Sequence, residues 1–260
     1  MTSPIFRELR LAEIGDTIKR LQRHKPAGAL LEIGAGTGWQ SKALAEAGYN
    51  VEAIDLPASS SISNHARARD YPIRDYDGAH IPFGAGSFDI VYSSNVLEHV
   101  EDLETLTAEM RRVLRRDGLA LHLLPNRAWR ALSLLTYYPA QVIDAARWLR
   151  RRSAGSSSNQ TGQSNGQSKS LIGKAVARLI PHSHGSDGTA LSELNRFSKS
   201  SWDAYFDRSG WDLIEYGDYG LLASGDYLLG RTLPMSVRAR LGKALGGIAH
   251  VYLVKPRPAE

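Results

Sequence analysis

The chain has 260 residues, 42% of them hydrophobic and 23% charged, with a net charge of +5 and no cysteine. That is enough apolar material for one substantial core, expected as a single α/β domain with an insertion, and the missing cysteines exclude a disulfide framework, a thiolate metal site and a thiol nucleophile. Charges are scattered through the first twenty residues and no run of about 18 uncharged apolar residues occurs, so neither a signal peptide nor a membrane span is predicted, and a cytoplasmic protein is the expectation.

Residues 5–24 carry Ile14, Ile18 and Leu21 on one face with charges opposite, which predicts a helix ending before Pro26 and able to cover a bound ligand. Ala29–Ile33 is predicted as a buried strand, and residues 31–38, LEIGAGTG, carry it into a glycine-rich turn. Glycines at every second position, Gly34, Gly36 and Gly38, let the chain turn sharply and bring backbone N–H groups against a ligand with no Cβ in the way. Glu32, at the strand's carboxyl end, lies where open α/β sheets hold their ligands and suits a cationic amino acid head group. The alternative is a tight strand-to-helix turn that binds nothing. The dinucleotide spacing Gly-x-Gly-x-x-Gly would need a glycine at position 39, where this chain has Trp39, so a nicotinamide enzyme is disfavoured.

A helix from Trp39 to Ala47 follows, with Gly48 at the C′ position. The next strand, Tyr49–Ile54, ends in Asp55, 17 residues beyond Gly38. A strand–helix–strand unit returns there to the same crevice, and a carboxylate can accept both hydroxyl protons of a ribose, or simply cap the next helix. Residues 56–70 are expected to hold a short helix and Ile73–Tyr76 a third strand, after which Asp77 could accept from an exocyclic amine. Pro82 and Phe83 make an apolar wall, and Ser87–Tyr92 alternate into a fourth strand.

With these residues in place the chain resembles a class I S-adenosylmethionine-dependent methyltransferase of the broad "type 11" kind. The resemblance rests on Glu32-Ile33-Gly34-Ala35-Gly36-Thr37-Gly38, Asp55, Asp77 with Ile81-Pro82-Phe83, Ser87-Phe88-Asp89, Val96-Leu97-Glu98-His99-Val100, Arg112-Val113-Leu114 and Asp117-Gly118. It covers residues 29–125. It implies a Rossmann-like, doubly wound, seven-stranded mixed sheet with a reversed last strand, here with a helical insertion after strand five. It also implies S-adenosylmethionine as cofactor: Glu32, Gly34, Ala35, Gly36 and Gly38 at the methionine end, Asp55 at the ribose with Leu56 in the same site, Asp77 and Gly78 at the adenine, and Asn95 closing the methionine side.

The remainder divides as 1–27, a leading helix; 28–125, the cofactor-binding core; 126–199, the insertion; and 200–260, the end of the sheet. A helix over Asp102–Arg116, stopped by Gly118, turns Leu103, Leu106, Met110, Val113 and Leu114 inward, and strand five is Leu119–Leu124. Within the insertion, 128–152 is aromatic and ends in Arg147, Arg150, Arg151 and Arg152, with Pro139 starting a second helix; 153–170 is a Ser/Gly/Gln/Asn tract expected to be disordered; and 171–180 is a short basic amphipathic helix. Such segments roof an acceptor site, or touch a membrane periphery through 128–152 and 171–180. The other arginine run, Arg111, Arg112, Arg115 and Arg116, reads as a solvated helix face, with an anionic membrane surface, a phosphate-bearing substrate or nucleic acid as the alternatives. A helix from Ser200 to Gly210 buries Trp202, Tyr205 and Phe206; strand Trp211–Tyr216, a helix over 235–245 and strand His250–Val254 finish the chain.

Methyl transfer from a sulfonium is an in-line displacement that needs a base only when a hydroxyl must lose its proton. His99 and His184 are the candidates, although Leu194 stands where related chains often carry a histidine ahead of Arg196-Phe197-Ser198. His182 and His184 lack a third ligand, so no metal is expected. Asn95-Val96-Leu97 differs from the Asn/Asp-Pro-Pro-aromatic pattern of base N-methylation, which disfavours nucleic acid. The reading is transfer to oxygen of a small-molecule, lipid or glycan acceptor. A catalytically inactive cofactor-binding subunit and a small-amine N-methyltransferase are the alternatives.

Overall fold

A computed structural model describes residues 4–57, 69–136, 192–221, 233–245, 247 and 249–258. In chain order these form α1 (Pro4–His24), β1 (Ala29–Ile33), α2 (Trp39–Glu46), β2 (Asn50–Asp55), β3 (Arg74–Asp75), β4 (Phe88–Ser94), a 3-10 turn at Leu97–His99, α3 (Leu103–Val113) and β5 (Leu114–Pro125). After them come α4 (127–136), α5 (Ser192–Arg196), α6 (Lys199–Arg208), β6 (Trp211–Tyr219), α7 (Met235–Leu245) and β7 (Ala249–Pro256). The predicted disordered tract 153–170, the helices placed at Pro139 and at 171–180, the arginine cluster 147–152, His182 and His184 lie outside the described residues, as does most of the helix expected over 56–70.

The seven strands form one sheet in the order β3-β2-β1-β4-β5-β7-β6. β1 to β5 run parallel, and β7 is antiparallel to both neighbours. The strand order reverses between β1 and β4, so a crevice opens beyond their carboxyl ends. The mixed sheet and its reversed last strand match the expectation. Strands buried on both faces read as near-continuous apolar runs. On one face Leu31, Val91, Ala120 and Tyr252 pack beneath Leu106, Met110 and Val113 of α3 and Trp202, Tyr205 and Phe206 of α6. On the other, Leu30, Ile90, Leu121 and Leu253 pack beneath Ile14 and Leu21 of α1 and Leu44 of α2.

Most boundaries shift by one or two residues from the sequence reading, and some differ by more. α3 stops at Val113, because Leu114 already has extended backbone (ψ 142°) and pairs with Phe88 of β4. β5 therefore begins five residues earlier than the predicted Leu119, and Gly118 does not terminate a helix: it lies in the bend inside the strand, where a Cβ would sit 2.9 Å from the Arg115 carbonyl. β3 is reduced to two residues, and β6 runs on to Tyr219 because β7 continues to pair with it as far as Ala249.

The arginine run around 111–116 is solvated as expected, with Arg112, Arg115 and Arg116 exposed, but three of its members are also tied to neighbouring groups. Arg112 donates to the carbonyls of Ile81 and Phe83 at 2.9 and 2.8 Å, Arg111 to the Ser209 carbonyl at 3.2 Å, and Arg115 pairs with Asp89. These side chains tie α3 and β5 to the loops beneath them. At the other end of the sheet Asn126 caps α4, accepting from the Trp129 N–H at 2.7 Å. Arg130 of α4 and Glu193 of α5, both buried, pair at 2.6 Å and join the two flanks of the insertion.

Candidate functional site

The glycine turn after β1 adopts left-handed backbone at Gly34, Gly36 and Gly38, with φ of 73°, 61° and 80°. That conformation favours glycine. The room left by the missing side chains is used by the protein itself: a Cβ on Gly34 would meet Val96, and one on Gly38 would lie 2.7 Å from Tyr71 Cβ. The turn's N–H groups are also engaged, which corrects the expectation that they face a ligand. Those of Gly34 and Ala35 donate to the Ile54 carbonyl at 2.9 and 3.1 Å, that of Gly38 to the Ala35 carbonyl at 2.8 Å, and that of Gly36 to Asp55 Oδ2 at 2.6 Å.

Asp55, the last residue of β2, is thus anchored to the turn, and its Oδ1 accepts from the Leu56 N–H at 2.7 Å. Leu56 is 37% exposed and lies beside Gly78, whose Cβ would come within 3.0 Å of Leu56 Cδ2. The two form an apolar step between the ends of β2 and β3. Asp77 spends its carboxylate on its own loop. It accepts from the Ala79 and His80 N–H groups at 2.8 and 2.7 Å and meets His80 Nδ1 at 2.9 Å, and these bonds hold its pKa down at about 2.

Glu32 is 1% exposed and accepts from Ser41 of α2. Burial pushes its pKa up to about 7, against the pull of Ser41 and Arg10, with Asp55 adding to the rise. Arg10 and its partner Glu13 were not singled out from the sequence. Arg10 pairs with Glu13, reaches Gln40 Oε1 at 3.3 Å and Ser94 Oγ at 3.4 Å, and lies 5.6 Å from the centre of the Trp39 ring. Gln40 donates on to the Tyr92 hydroxyl at 2.9 Å. Glu13 is 3% exposed, and burial raises its pKa as well. The signal available in the sequence was a carboxylate on the same helical stripe as Ile14 and Leu21, where charge has no reason to sit unless it is paired. Two buried carboxyls around one guanidinium leave the crevice short of positive charge, which fits a cationic ligand.

On the far side of β4, Asn95 has a φ of 55°, donates its N–H to the Leu123 carbonyl at 2.9 Å and its side-chain amide to Ser94 Oγ at 3.2 Å. A non-glycine residue in that region stores strain of the kind found at functional sites. His99 ends the 3-10 turn with 36% of its side chain exposed. Burial and the nearby Arg196 lower its pKa, opposed by Glu193, so it is neutral at pH 7. The structure therefore brings Glu32, Gly34, Ala35, Gly36, Gly38, Asp55, Leu56, Asp77, Gly78, Asn95 and His99 to the same edge of the sheet. Among the described residues no group of three or more His, Asp or Glu is placed to hold a metal ion, and no helix is long and apolar enough to cross a membrane.

A mixed sheet with this strand order, a glycine turn after β1 and an acid ending β2 define a Rossmann-like fold. A family model described as a methyltransferase domain matches residues 31–122. The chain is 31% identical over 127 residues to the ubiquinone biosynthesis O-methyltransferase of Rhizobium etli, covering 47% of this chain and 50% of the relative. It is 30% identical over 158 residues to the protein of that name from Rhizobium rhizogenes, covering 56% and 62%. It thus spans half to about three fifths of the length of these relatives. In fold it resembles the crystal structure of an S-adenosylmethionine-dependent methyltransferase from Mesorhizobium loti, with a TM-score of 0.53 at 15% identity over 95% of this chain and 99% of that one. Residues 31–122 thus match a methyltransferase domain, and the fold is one shared with S-adenosylmethionine-dependent methyltransferases.

Proposed function

We propose that the chain moves the methyl group of S-adenosylmethionine to an oxygen of a small, partly apolar acceptor of the phenol or quinone-precursor type. The observation that carries the first half is the charge of the crevice: Glu13 and Glu32 are both buried, Arg10 pairs with Glu13, and Glu32 has the Ser41 hydroxyl with Arg10 acting on it only at longer range. A ligand with an ammonium group and a sulfonium supplies the missing positive charge. In this reading Glu32 and the turn hold the methionine end and Arg10, one fifth exposed at the rim, meets its carboxylate. Asp55 accepts from the ribose hydroxyls, the Leu56–Gly78 step lies against the adenine with Asp77 at its edge, and Asn95 closes the methionine side.

S-adenosylmethionine bound there supplies an activated methyl carbon. The chain's own contribution is to orient the acceptor oxygen and exclude water, and such positioning supplies about 7–11 kcal/mol of a displacement barrier. The choice of oxygen and of a ring-type acceptor is supported by the names of the two rhizobial relatives, both ubiquinone biosynthesis O-methyltransferases. Calorimetric titration with S-adenosylhomocysteine, beside Asp55→Ala and an NADH control, tests the cofactor half. Binding that the substitution weakens is expected, and preference for NADH would refute it. Methyl transfer to a panel of phenols, catechols, lipids and glycan intermediates tests the acceptor half; turnover only on RNA or protein would overturn it.

A further inference from the structure

Four glutamates are fully buried among the described residues: Glu13, Glu32, Glu98 and Glu193. Three of them have partners. Glu13 has Arg10, Glu32 has Ser41, and Glu193 has Arg130 at 2.6 Å. Glu98 is 0% exposed, and among the described residues no other residue hydrogen-bonds either of its carboxyl oxygens. A buried carboxyl left without a donor is costly, and in a native protein such a group calls for an explanation.

Its place supplies one. Glu98 is the middle residue of the turn that leaves β4, at the reversal in strand order where the crevice opens. Arg10 of α1 acts on it electrostatically from the cofactor side. Arg196 of α5 does so from the flank of the insertion, its guanidinium donating to the Glu98 carbonyl at 3.3 Å. His99 Nε2, on its own turn, stands 3.8 Å from Oε1. Among the described residues these are the charged and titratable groups that face it, and none of them hydrogen-bonds the carboxyl.

Resting on the methyl-transfer reading, we infer that Glu98, and neither candidate histidine, is the general base, its carboxylate taking the hydroxyl hydrogen of a protic acceptor such as a phenol. The step balances. The acceptor oxygen uses a lone pair to form the O–C bond, and the C–S bond breaks with its electron pair going to sulfur. The O–H bond breaks with its pair staying on oxygen, and the proton goes to Glu98 Oε. The neutral carboxylic acid then returns its proton to solvent past His99, which is neutral and partly exposed. Burial lifts the Glu98 carboxyl to about 8, close to the working pH, where a general base is most effective. A positive charge arriving in the crevice favours its ionised form, so cofactor binding arms it.

The test uses the full chain and Glu98→Gln, with Glu98→Asp as a second variant that keeps a carboxylate. S-adenosylhomocysteine should bind Glu98→Gln within about threefold of wild type, while methyl transfer to a catechol panel falls by about 100-fold or more and part of the rate survives in Glu98→Asp. In protein carrying carbon-13 at the glutamate carboxyls, the resonance missing from Glu98→Gln should titrate above those of the exposed glutamates. It should move to lower pH when sinefungin places an amine where the sulfonium sits. Turnover of Glu98→Gln within threefold of wild type, or a resonance that titrates in the ordinary range or ignores sinefungin, overturns the assignment. If no catechol is methylated, the resonance decides alone. Failure of folded wild-type protein to bind S-adenosylhomocysteine refutes the methyl-transfer reading itself and is a separate, distinguishable result.

Discussion

Val96 fills the space that a side chain at residue 34 would need: a Cβ built on Gly34 would lie 2.4 Å from Val96 Cγ2, and the backbone there has a φ of 73°. The turn after β1 and the loop after β4 are thereby packed together across the reversal in strand order. Asn95, His99 and Glu98 are positioned by the same contact that demands the first glycine of the turn.

Gly34→Ala is therefore expected to destabilise the protein by roughly 2–5 kcal/mol, about 1–2 from the left-handed conformation and about 1–3 from overpacking against Val96. Adding Val96→Ala should remove the overpacking share and leave the conformational one. Urea denaturation of the two variants and of Val96→Ala alone checks this. If the double variant is no more stable than Gly34→Ala, the contact is not the source.

Asp55 does two jobs, anchoring the turn through the Gly36 N–H and facing the crevice. Asp55→Ala should lower affinity for S-adenosylhomocysteine more than 100-fold, the loss of two charge-assisted hydrogen bonds at about 1.5–3 kcal/mol each. Asp77→Ala should weaken binding by another route, by releasing the Ala79 and His80 N–H groups it now holds. Faster amide exchange at residues 79 and 80 would report that release. Because its bonds keep Asp77 ionised down to about pH 2, its contribution should be unchanged between pH 7 and pH 4.

Much of this was legible because it lives in local pattern. The glycine spacing, the acids that end strands and the apolar periodicities of α1, α3 and α6 placed the elements and one edge of the candidate site, while the mixed sheet with its reversed strand came from the family resemblance. What sequence could not supply were relationships between distant elements. Arg10 and Ser94 are 84 positions apart, and nothing in the helix pattern says that the guanidinium reaches over β4. The end of α3 was misplaced because Gly118 looks like a stop, whereas the pairing of Leu114 with Phe88 ends the helix sooner. Glu98 was visible only as part of a motif; its isolation is a property of its surroundings.

The Arg10–Glu13 pair predicts a thermodynamic cycle. Arg10→Leu leaves a buried carboxylate uncompensated and should cost about 3–5 kcal/mol at pH 8. Glu13→Gln in that background should recover most of the loss, because the amide needs no counter-charge. The two changes should therefore couple by more than about 1 kcal/mol, and additive effects in denaturation would show that the pair is not energetically linked.

Glu32 predicts how stability depends on pH. Burial raises its pKa from 4.5 in the unfolded chain to about 7, so the folded state holds a proton that the unfolded state has released between those values. Over that window the group makes stability fall as pH rises, and the penalty is complete above about pH 7. Glu32→Gln keeps an acceptor for Ser41 but cannot ionise. The variant should match wild type near pH 4 and exceed it above pH 7 by up to about 3 kcal/mol, since each pKa unit is worth about 1.4 kcal/mol. Glu13 and Glu98 are present in both proteins, so their own titrations cancel in the difference. The same substitution should weaken sinefungin binding most at high pH, where the wild-type carboxylate is charged. A stability difference that does not change between pH 4 and pH 8 would mean that Glu32 ionises normally and that the crevice lacks the charge deficit on which cofactor recognition is argued.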